Sequence, residues 1–152
     1  MKLDRRELLL GGAVLLLARG TRSEAAGAAN WANWRGPHFN GSTEATDLPV
    51  KFSPTEGVRW STAMPGPSAA TPIIWGDAVF LSSTDLAAKQ LLAICLDRAT
   101  GKVRWQHAVG TGYLPAGQGN EIQLEPKSNY ASPSPVTDGK RVVFFYGNGD
   151  LV

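Results

Sequence analysis

The sequence has few of the residues that cross-link a chain or bind metals. Cys95 is the only cysteine, so no disulfide can form within the chain and its stability must come from packing. The two histidines, His38 and His107, are isolated and have no metal-ligand spacing around them. The sequence also lacks an EF-hand loop, a phosphate-binding loop, a zinc-ligand pair and a nucleophile elbow. No recognisable catalytic motif is therefore present.

A hydrophobic run long enough to span a membrane is missing as well. Leu8–Ala18 is an apolar run of eleven residues, which as a helix rises about 16 Å against about 30 Å of hydrocarbon. Basic residues precede this run and small residues follow it at 25–29, which is the order of a secretory signal. We predict a signal peptide over 1–29, cleaved after Ala28 or Ala29. The mature protein is then periplasmic or secreted and has no stable membrane span.

The positive charge of the chain lies within this signal. Residues 1–28 contain five Lys or Arg and three Asp or Glu, and the remainder contains ten of each. The mature chain therefore has no excess of positive charge, and we predict no nucleic-acid partner. The pair Arg5 and Arg6, followed by Glu-Leu-Leu, resembles a twin-arginine signal, which exports folded proteins; an ordinary secretory signal is the alternative.

Helical periodicity is absent after the signal, and 17 glycines and 10 prolines punctuate short apolar segments. This pattern is typical of an all-β fold with many short strands. We predict an irregular arm over 30–56, in which Trp31 and Trp34 pack against another part of the protein. The predicted strands are 57–63, 71–75, 78–82, 90–96 and 102–108. The last four form an up-and-down meander of about 40 residues, the size of one propeller blade.

The pattern then begins again. Val103-Arg104-Trp105 repeats Val58-Arg59-Trp60 at an offset of 45 residues, and the segment 134–139 resembles 71–76 at an offset of 63. The difference predicts an insertion of 18 residues, within 110–129. After it we expect a hairpin partner at 141–145 and the start of a third strand at 149–152. Polar residues at 127–130 are candidates for a ligand-facing funnel.

The turn after the third strand of the meander carries the most specific motif, Cys95-x-Asp97-x-x-Thr100-Gly101-x-x-x-Trp105. It resembles the tryptophan-docking repeat of the pyrroloquinoline-quinone-like (PQQ-like) β-propellers, in which Ala is usual at the position of Cys95. The resemblance covers roughly residues 30–152. It implies β-propeller blades, each a four-stranded antiparallel meander, over 57–152.

The residue types of the motif suit a turn beneath a packed tryptophan. Gly101 can adopt a positive φ, and the side chains of Asp97 and Thr100 can hydrogen-bond the turn backbone. Trp105 on the last strand can lie against a neighbouring blade. Trp60 has no preceding hairpin, so we interpret 57–63 as a possible closing strand whose partner strands lie beyond residue 152.

One full blade and part of a second form an incomplete ring, because repeat arrays generally need about three units. We therefore interpret the sequence as an N-terminal fragment. A small stand-alone sheet protein is the alternative interpretation. The resemblance leaves three functions open. The first is a non-enzymatic binding or scaffold module in the cell envelope, with an unknown protein or small-molecule partner and no evident cofactor. The second is part of a quinoprotein dehydrogenase that uses PQQ and calcium. The third is no independent function.

Overall fold

The computed structural model describes residues 30–110 and 128–152, and within them the protein is all-β and contains no helix. The prediction of an all-β fold is confirmed. The strands are β1 (Ile73–Trp75), β2 (Ala78–Asp85), β3 (Gln90–Asp97), β4 (Val103–Val109), β5 (Val136–Thr137) and β6 (Val142–Val143). No helix that could span a membrane occurs in these two ranges. The predicted signal peptide and most of the predicted insertion lie outside the described residues.

Strands β1 to β4 form one antiparallel meander in chain order. The predicted turn at Gly76 and Asp77 joins β1 to β2, with Trp75 opposite Ala78. Each of these strands lies within three residues of its predicted bounds, and the largest difference is that β2 continues past Ser82 to Asp85. The strand continues because the hydroxyls of Ser82, Ser83 and Thr84, all fully buried, donate hydrogen bonds to loop carbonyls.

The two faces of the meander are both buried. On β3, Leu92, Ile94 and Leu96 face one side and pack with Trp60 and Met64. The alternate residues of β3 face the other side and join a second cluster, consisting of Leu91, Ala93, Tyr130, Phe144 and Tyr146. This alternation places the sheet as the middle layer between the segment around residue 60 and the second repeat. Each fully buried Leu or Ile stabilises the stack by about 1.5–3 kcal/mol.

The second repeat is a shorter copy of the first. Strands β5 and β6 pair through only two residues each, with Val136 opposite Val143, so the predicted hairpin partner at 141–145 is shorter than expected. The predicted third strand is present as a single bridge between Phe145 and Leu151. The second repeat therefore has the same antiparallel order as β1 to β3, with fewer paired residues.

Segment 57–63, predicted as a strand, is not one. A strand is defined by backbone pairing, and none of the described residues pairs with this segment. The alternation of apolar residues predicted a strand, but alternation cannot supply a neighbouring strand, and Trp60 contacts the core through its side chain alone. The closing-strand interpretation stays a prediction.

The arm at 30–56 contacts both repeats near its start. The backbone of Trp31 pairs with that of Ile74 through two hydrogen bonds of 2.8 and 2.9 Å, and the Thr137 amide donates to the carbonyl of Ala32. The arm thus bridges β1 and β5. Trp34 differs from its prediction, because its side chain is 59% exposed and contacts the Arg35 guanidinium instead of the core.

Candidate functional site

The motif turn that follows β3 is closed by its own side chains. One carboxylate oxygen of Asp97, Oδ1, accepts hydrogen bonds from the amides of Ala99 and Thr100 and from the Thr100 hydroxyl, at 3.1, 2.9 and 2.8 Å. The Gly101 amide donates to the Asp97 carbonyl at 2.8 Å, and Gly101 has a φ of +71°. These bonds fix the backbone conformation of the turn, which faces the segment around residue 60.

The indole of Trp60 lies on this turn. Its Nε1 donates to the Arg98 carbonyl at 2.9 Å, and the Thr62 hydroxyl donates to the Gly101 carbonyl at 2.7 Å. A Cβ atom on residue 101 would overlap the indole, so only glycine permits this approach. The predicted strand partners of this segment beyond residue 152 stay a prediction, and its side chains contact the sheet of β1 to β4.

Trp105 is the equivalent tryptophan on β4, and it faces the second repeat. Its ring centroid lies 6.3 Å from that of Phe144 in an edge-on arrangement and 6.0 Å from that of Phe80. His107, which showed no ligand pattern in the sequence, stacks on the same indole at 5.3 Å. The two tryptophans of the repeated Val-Arg-Trp tripeptide therefore occupy successive interlayer spaces, Trp60 on one side of the sheet and Trp105 on the other.

Arg104 forms an ion-pair cluster that the sequence did not reveal. A register shift between Cys95 and Leu96 makes Arg104 the extra residue of a β-bulge, and bulges commonly redirect a side chain. Its guanidinium lies 2.9 Å from a carboxylate oxygen of Asp77 and 2.6 Å from one of Asp97. Hydrogen bonds from Arg104 and Thr100 lower the pKa of Asp97 from 3.8 to about 2, and the hydrogen bond and charge of Arg104 lower that of Asp77.

The sequence identified Asp77 and Asp97 only as turn formers. The one sequence feature that could have indicated the cluster is the arginine repeated before each tryptophan. Arg104 joins the β1–β2 turn to the end of β3, so it fixes one end of the meander.

Cys95 is part of the core and does not face a ligand. It is 2% exposed, lies opposite Trp105 in the ladder and has a thiol pKa raised by burial. A small residue suits this place because the indole covers it. Within residues 30–110 and 128–152, no group of three His, Cys, Asp or Glu side chains could hold a metal ion.

The most informative contacts join equivalent residues of the two repeats. The Ser68 hydroxyl donates to the Ala131 carbonyl at 3.1 Å, and the Thr71 amide donates to the Ser134 hydroxyl at 2.8 Å. Both pairs are separated by 63 residues, the offset of the internal repeat. The two repeats therefore stack in the same orientation, and their corresponding loops meet at one end of the stack, which we call the loop end.

Bonds inside each repeat are equivalent too. The Thr84 hydroxyl donates to the Pro67 carbonyl at 2.9 Å, and 63 residues later the Gly147 amide donates to the Tyr130 carbonyl at 2.7 Å. The second bond uses the backbone because glycine has no hydroxyl. The repeat is thus preserved in three dimensions even where the side chains differ.

The segment predicted to face a ligand funnel mainly forms turn hydrogen bonds and packs in the core. The side-chain oxygen of Asn129 accepts a hydrogen bond from the backbone amide of Ala131 at 2.9 Å. The backbone amide of Asn129 donates to the hydroxyl of Ser132. Tyr130 is buried in the second core cluster, so the funnel prediction is wrong for Tyr130, and Lys127 lies outside the described residues. The hydroxyl of Tyr146 is buried and has no hydrogen-bond partner among the residues that the structure describes, and burial raises its pKa.

Comparison of the chain with protein-family models, with curated proteins and with solved structures gives no match.

Proposed function

We propose that this chain forms part of an exported β-propeller of the PQQ-like repeat type, which acts as a binding or scaffold module in the cell envelope. The observation that carries the proposal is the direct contact between residues 63 positions apart. Contacts of this kind are heterologous, since each repeat presents one surface to the repeat before it and a different surface to the repeat after it. Such an arrangement closes into a ring when the rotation per repeat permits.

The docked tryptophans support the same arrangement. Trp60 and Trp105 lie on opposite sides of one meander, and each contacts an adjoining layer. A sheet that is buried on both faces needs a layer on each side, and a radial array of blades supplies them.

The loop end is the surface that we propose for binding. Loops held on a rigid array of sheets are common binding surfaces, and here the interrepeat bonds of Ser68 and Thr71 place two loops side by side. Export of the module to the envelope rests on the predicted signal at 1–29.

Site-specific photocrosslinking in living cells tests this function. A photoreactive amino acid is placed at Ala69 in the full chain, with Lys102 at the opposite end of the meander as the matched control position. Both residues are exposed. We expect an envelope-fraction adduct from position 69 and none from position 102. Equal adducts from both positions, or a chain that stays in the cytoplasm, would contradict the proposal.

The alternative hypothesis, a quinoprotein dehydrogenase, is tested separately on the purified full chain. PQQ and calcium are added, and binding is followed by quenching of tryptophan fluorescence, with reduction of a dye acceptor as the activity assay. A binding module leaves the dye unreduced. Saturable PQQ binding with calcium-dependent dye reduction would replace the scaffold function by the enzymatic one.

A further inference from the structure

The sequence contains two Asn-Gly pairs, at residues 40–41 and 148–149. An asparagine that precedes glycine loses its side-chain ammonia more readily than other asparagines, because glycine has no side chain to hinder attack of its backbone nitrogen on the carboxamide carbon. Gly41 and Gly149 have φ angles of +83° and +95°, and a Cβ atom at either position would meet nothing within 4 Å. Neither pair is therefore hindered on the side of its glycine.

The backbone contacts of the two pairs are also alike. Each glycine amide donates to a carbonyl of its own turn, at 2.8 Å for Gly41 and 2.9 Å for Gly149. The side-chain oxygen Oδ1 of each asparagine accepts the backbone amide two residues further on, at 2.9 Å for Asn40 and 3.1 Å for Asn148. Each carboxamide is thus folded back over the backbone that follows it. A difference in reactivity between the two asparagines must come from their remaining contacts.

The carboxamide of Asn40 has a second donor on the same oxygen. The Ser42 hydroxyl donates to Oδ1 of Asn40 at 2.7 Å, and both residues are exposed to solvent. When the Gly41 nitrogen attacks the carboxamide carbon, negative charge develops on this oxygen. Donors that already point at a developing oxyanion lower the barrier to its formation. The contacts of Asn40 therefore favour the reaction.

The carboxamide of Asn148 is held in the opposite sense. Its Nδ2 donates to the Asp150 carboxylate at 2.7 Å, and Asn148 is only half-exposed. The carboxylate binds the nitrogen that would leave, and its negative charge opposes the charge that would develop on the neighbouring Oδ1. The contacts of Asn148 therefore disfavour the same reaction.

We propose that Asn40 is a site of spontaneous deamidation, promoted by the Ser42 hydroxyl, and that Asp150 protects Asn148. The Gly41 nitrogen loses its proton to solvent base and forms a bond to Cγ of Asn40, the bond from Cγ to Nδ2 breaks, and Nδ2 takes up a proton and leaves as ammonia. Water then opens the succinimide to aspartate or isoaspartate. This modification is independent of the proposed function.

The product changes the turn that carries it. Aspartate or isoaspartate at position 40 adds a negative charge in the segment that also contains Glu44. Isoaspartate in addition inserts one atom into the backbone, next to the hydrogen bond of 2.8 Å between the Gly41 amide and the Arg35 carbonyl that closes the turn. We therefore expect the turn at 35–41 to open in the isoaspartyl form.

Peptide mapping of the purified full chain tests the inference. The protein is incubated at slightly alkaline pH, and mass spectrometry follows the deamidated fraction at Asn40 and at Asn148. A parallel incubation in urea gives the two rates that the local sequence alone sets. We expect Asn40 to react faster than Asn148, with a larger ratio of the two rates in the folded protein than in urea. Absence of deamidation at Asn40, or the same ratio in both states, would overturn the inference.

Two neighbouring hydroxyls separate the proposed cause from a general effect of the turn. Ser42→Ala should slow deamidation of Asn40 in the folded protein by about 2–10-fold, the fold-change of one net hydrogen bond, and should have no effect in urea. Thr43→Ala is the matched control, because the Thr43 hydroxyl bonds to the Ala45 amide instead. It should leave the rate unchanged. Equal rates in the two variants would remove the role of Ser42.

The protection of Asn148 is tested by removing the charge beside it. Asp150→Asn should raise the rate at Asn148 in the folded protein and leave the rate at Asn40 as it is. Circular dichroism confirms that the variant is folded, and a variant that unfolds is compared with wild type in urea. A rate at Asn148 that is the same in folded wild type and folded Asp150→Asn would contradict the protective role.

Discussion

At the scale of single residues, Trp60 shows how one side chain joins two parts of the chain that are distant in sequence. Its indole makes a hydrogen bond to Arg98, 38 residues away, and packs on the backbone of Gly101. The contact depends on both partners, because the turn must present a carbonyl and must lack a Cβ atom at residue 101. Trp34 has the same side chain but 59% exposure, which makes it a natural comparison.

We expect Trp60→Ala to lower the free energy of unfolding by about 2–4 kcal/mol, since it removes a half-buried ring and one hydrogen bond. Trp34→Ala should change it by less than about 1 kcal/mol, because an exposed ring over an arginine contributes little. Urea unfolding followed by circular dichroism measures both values. Equal losses in the two variants would show that the Trp60 contact does not stabilise the fold.

The residue types of the motif turn could be interpreted from the sequence, but their long-range contacts could not. The Asp97 hydrogen bonds and the positive φ of Gly101 follow from local turn chemistry, which the spacing of the motif contains. The position of Trp60 on that turn depends on how the chain returns after residue 60. The role of Arg104 depends on a one-residue bulge, and the sequence carries no separate signal for that bulge.

At the scale of structural elements, the Arg104 cluster fixes one end of the meander. Arg104 on β4 binds Asp77 from the β1–β2 turn and Asp97 from the end of β3, so a single side chain connects three strands. Strand bounds were predictable here because the glycine and aspartate turns mark them. The absence of a strand at 57–63 was not predictable, because the segment has the apolar alternation of a strand. Its pairing partner is absent from the described residues.

The lowered pKa values make the stability of this element depend on pH. The folded state binds the proton of Asp97 less tightly than the unfolded chain does, since its pKa falls from 3.8 to about 2. Its contribution is therefore complete above about pH 4 and is lost as the pH falls toward 2. Arg104→Gln should reduce this acid-dependent loss, measured as the urea midpoint at successive pH values.

Arg59→Gln is the control for that experiment, because Arg59 has the same place in the tripeptide but forms no ion pair within residues 30–110 and 128–152. It should retain the wild-type dependence on pH. Part of the acid loss should also remain in Arg104→Gln, since backbone amides of Arg141 and Lys140 lower the pKa of Asp138 independently. A pH profile identical in wild type and Arg104→Gln would mean that the cluster contributes nothing.

At the scale of the whole molecule, the protein is a stack in which the meander lies between two other layers. The interlayer contacts use tryptophans on the faces and hydroxyl or amide bonds at the loop end. The internal repeat predicted from the sequence, with its offset of 63, is thus present as contacts between equivalent residues. Which loops would touch could not be predicted, because an offset gives the spacing of repeats and not their relative rotation.

We expect Trp105→Ala to loosen the second repeat from the meander, because its indole contacts both Phe80 and Phe144. The variant should have a lower Tm, and the amides of Phe144 and Tyr146 should exchange hydrogen faster. Gln106→Ala, an exposed neighbour on the same strand, should leave both quantities near their wild-type values. An unchanged Tm in Trp105→Ala would remove the docking role of Trp105.

Because Cys95 is buried, the reactivity of its thiol reports local unfolding of the sheet. The thiol is the only one in the chain and is 2% exposed, so a thiol-alkylating reagent reaches it only when β3 separates from its cover. The rate of labelling therefore measures how often the middle layer opens. In an oxidising compartment the same burial keeps two copies from joining through a disulfide while they remain folded.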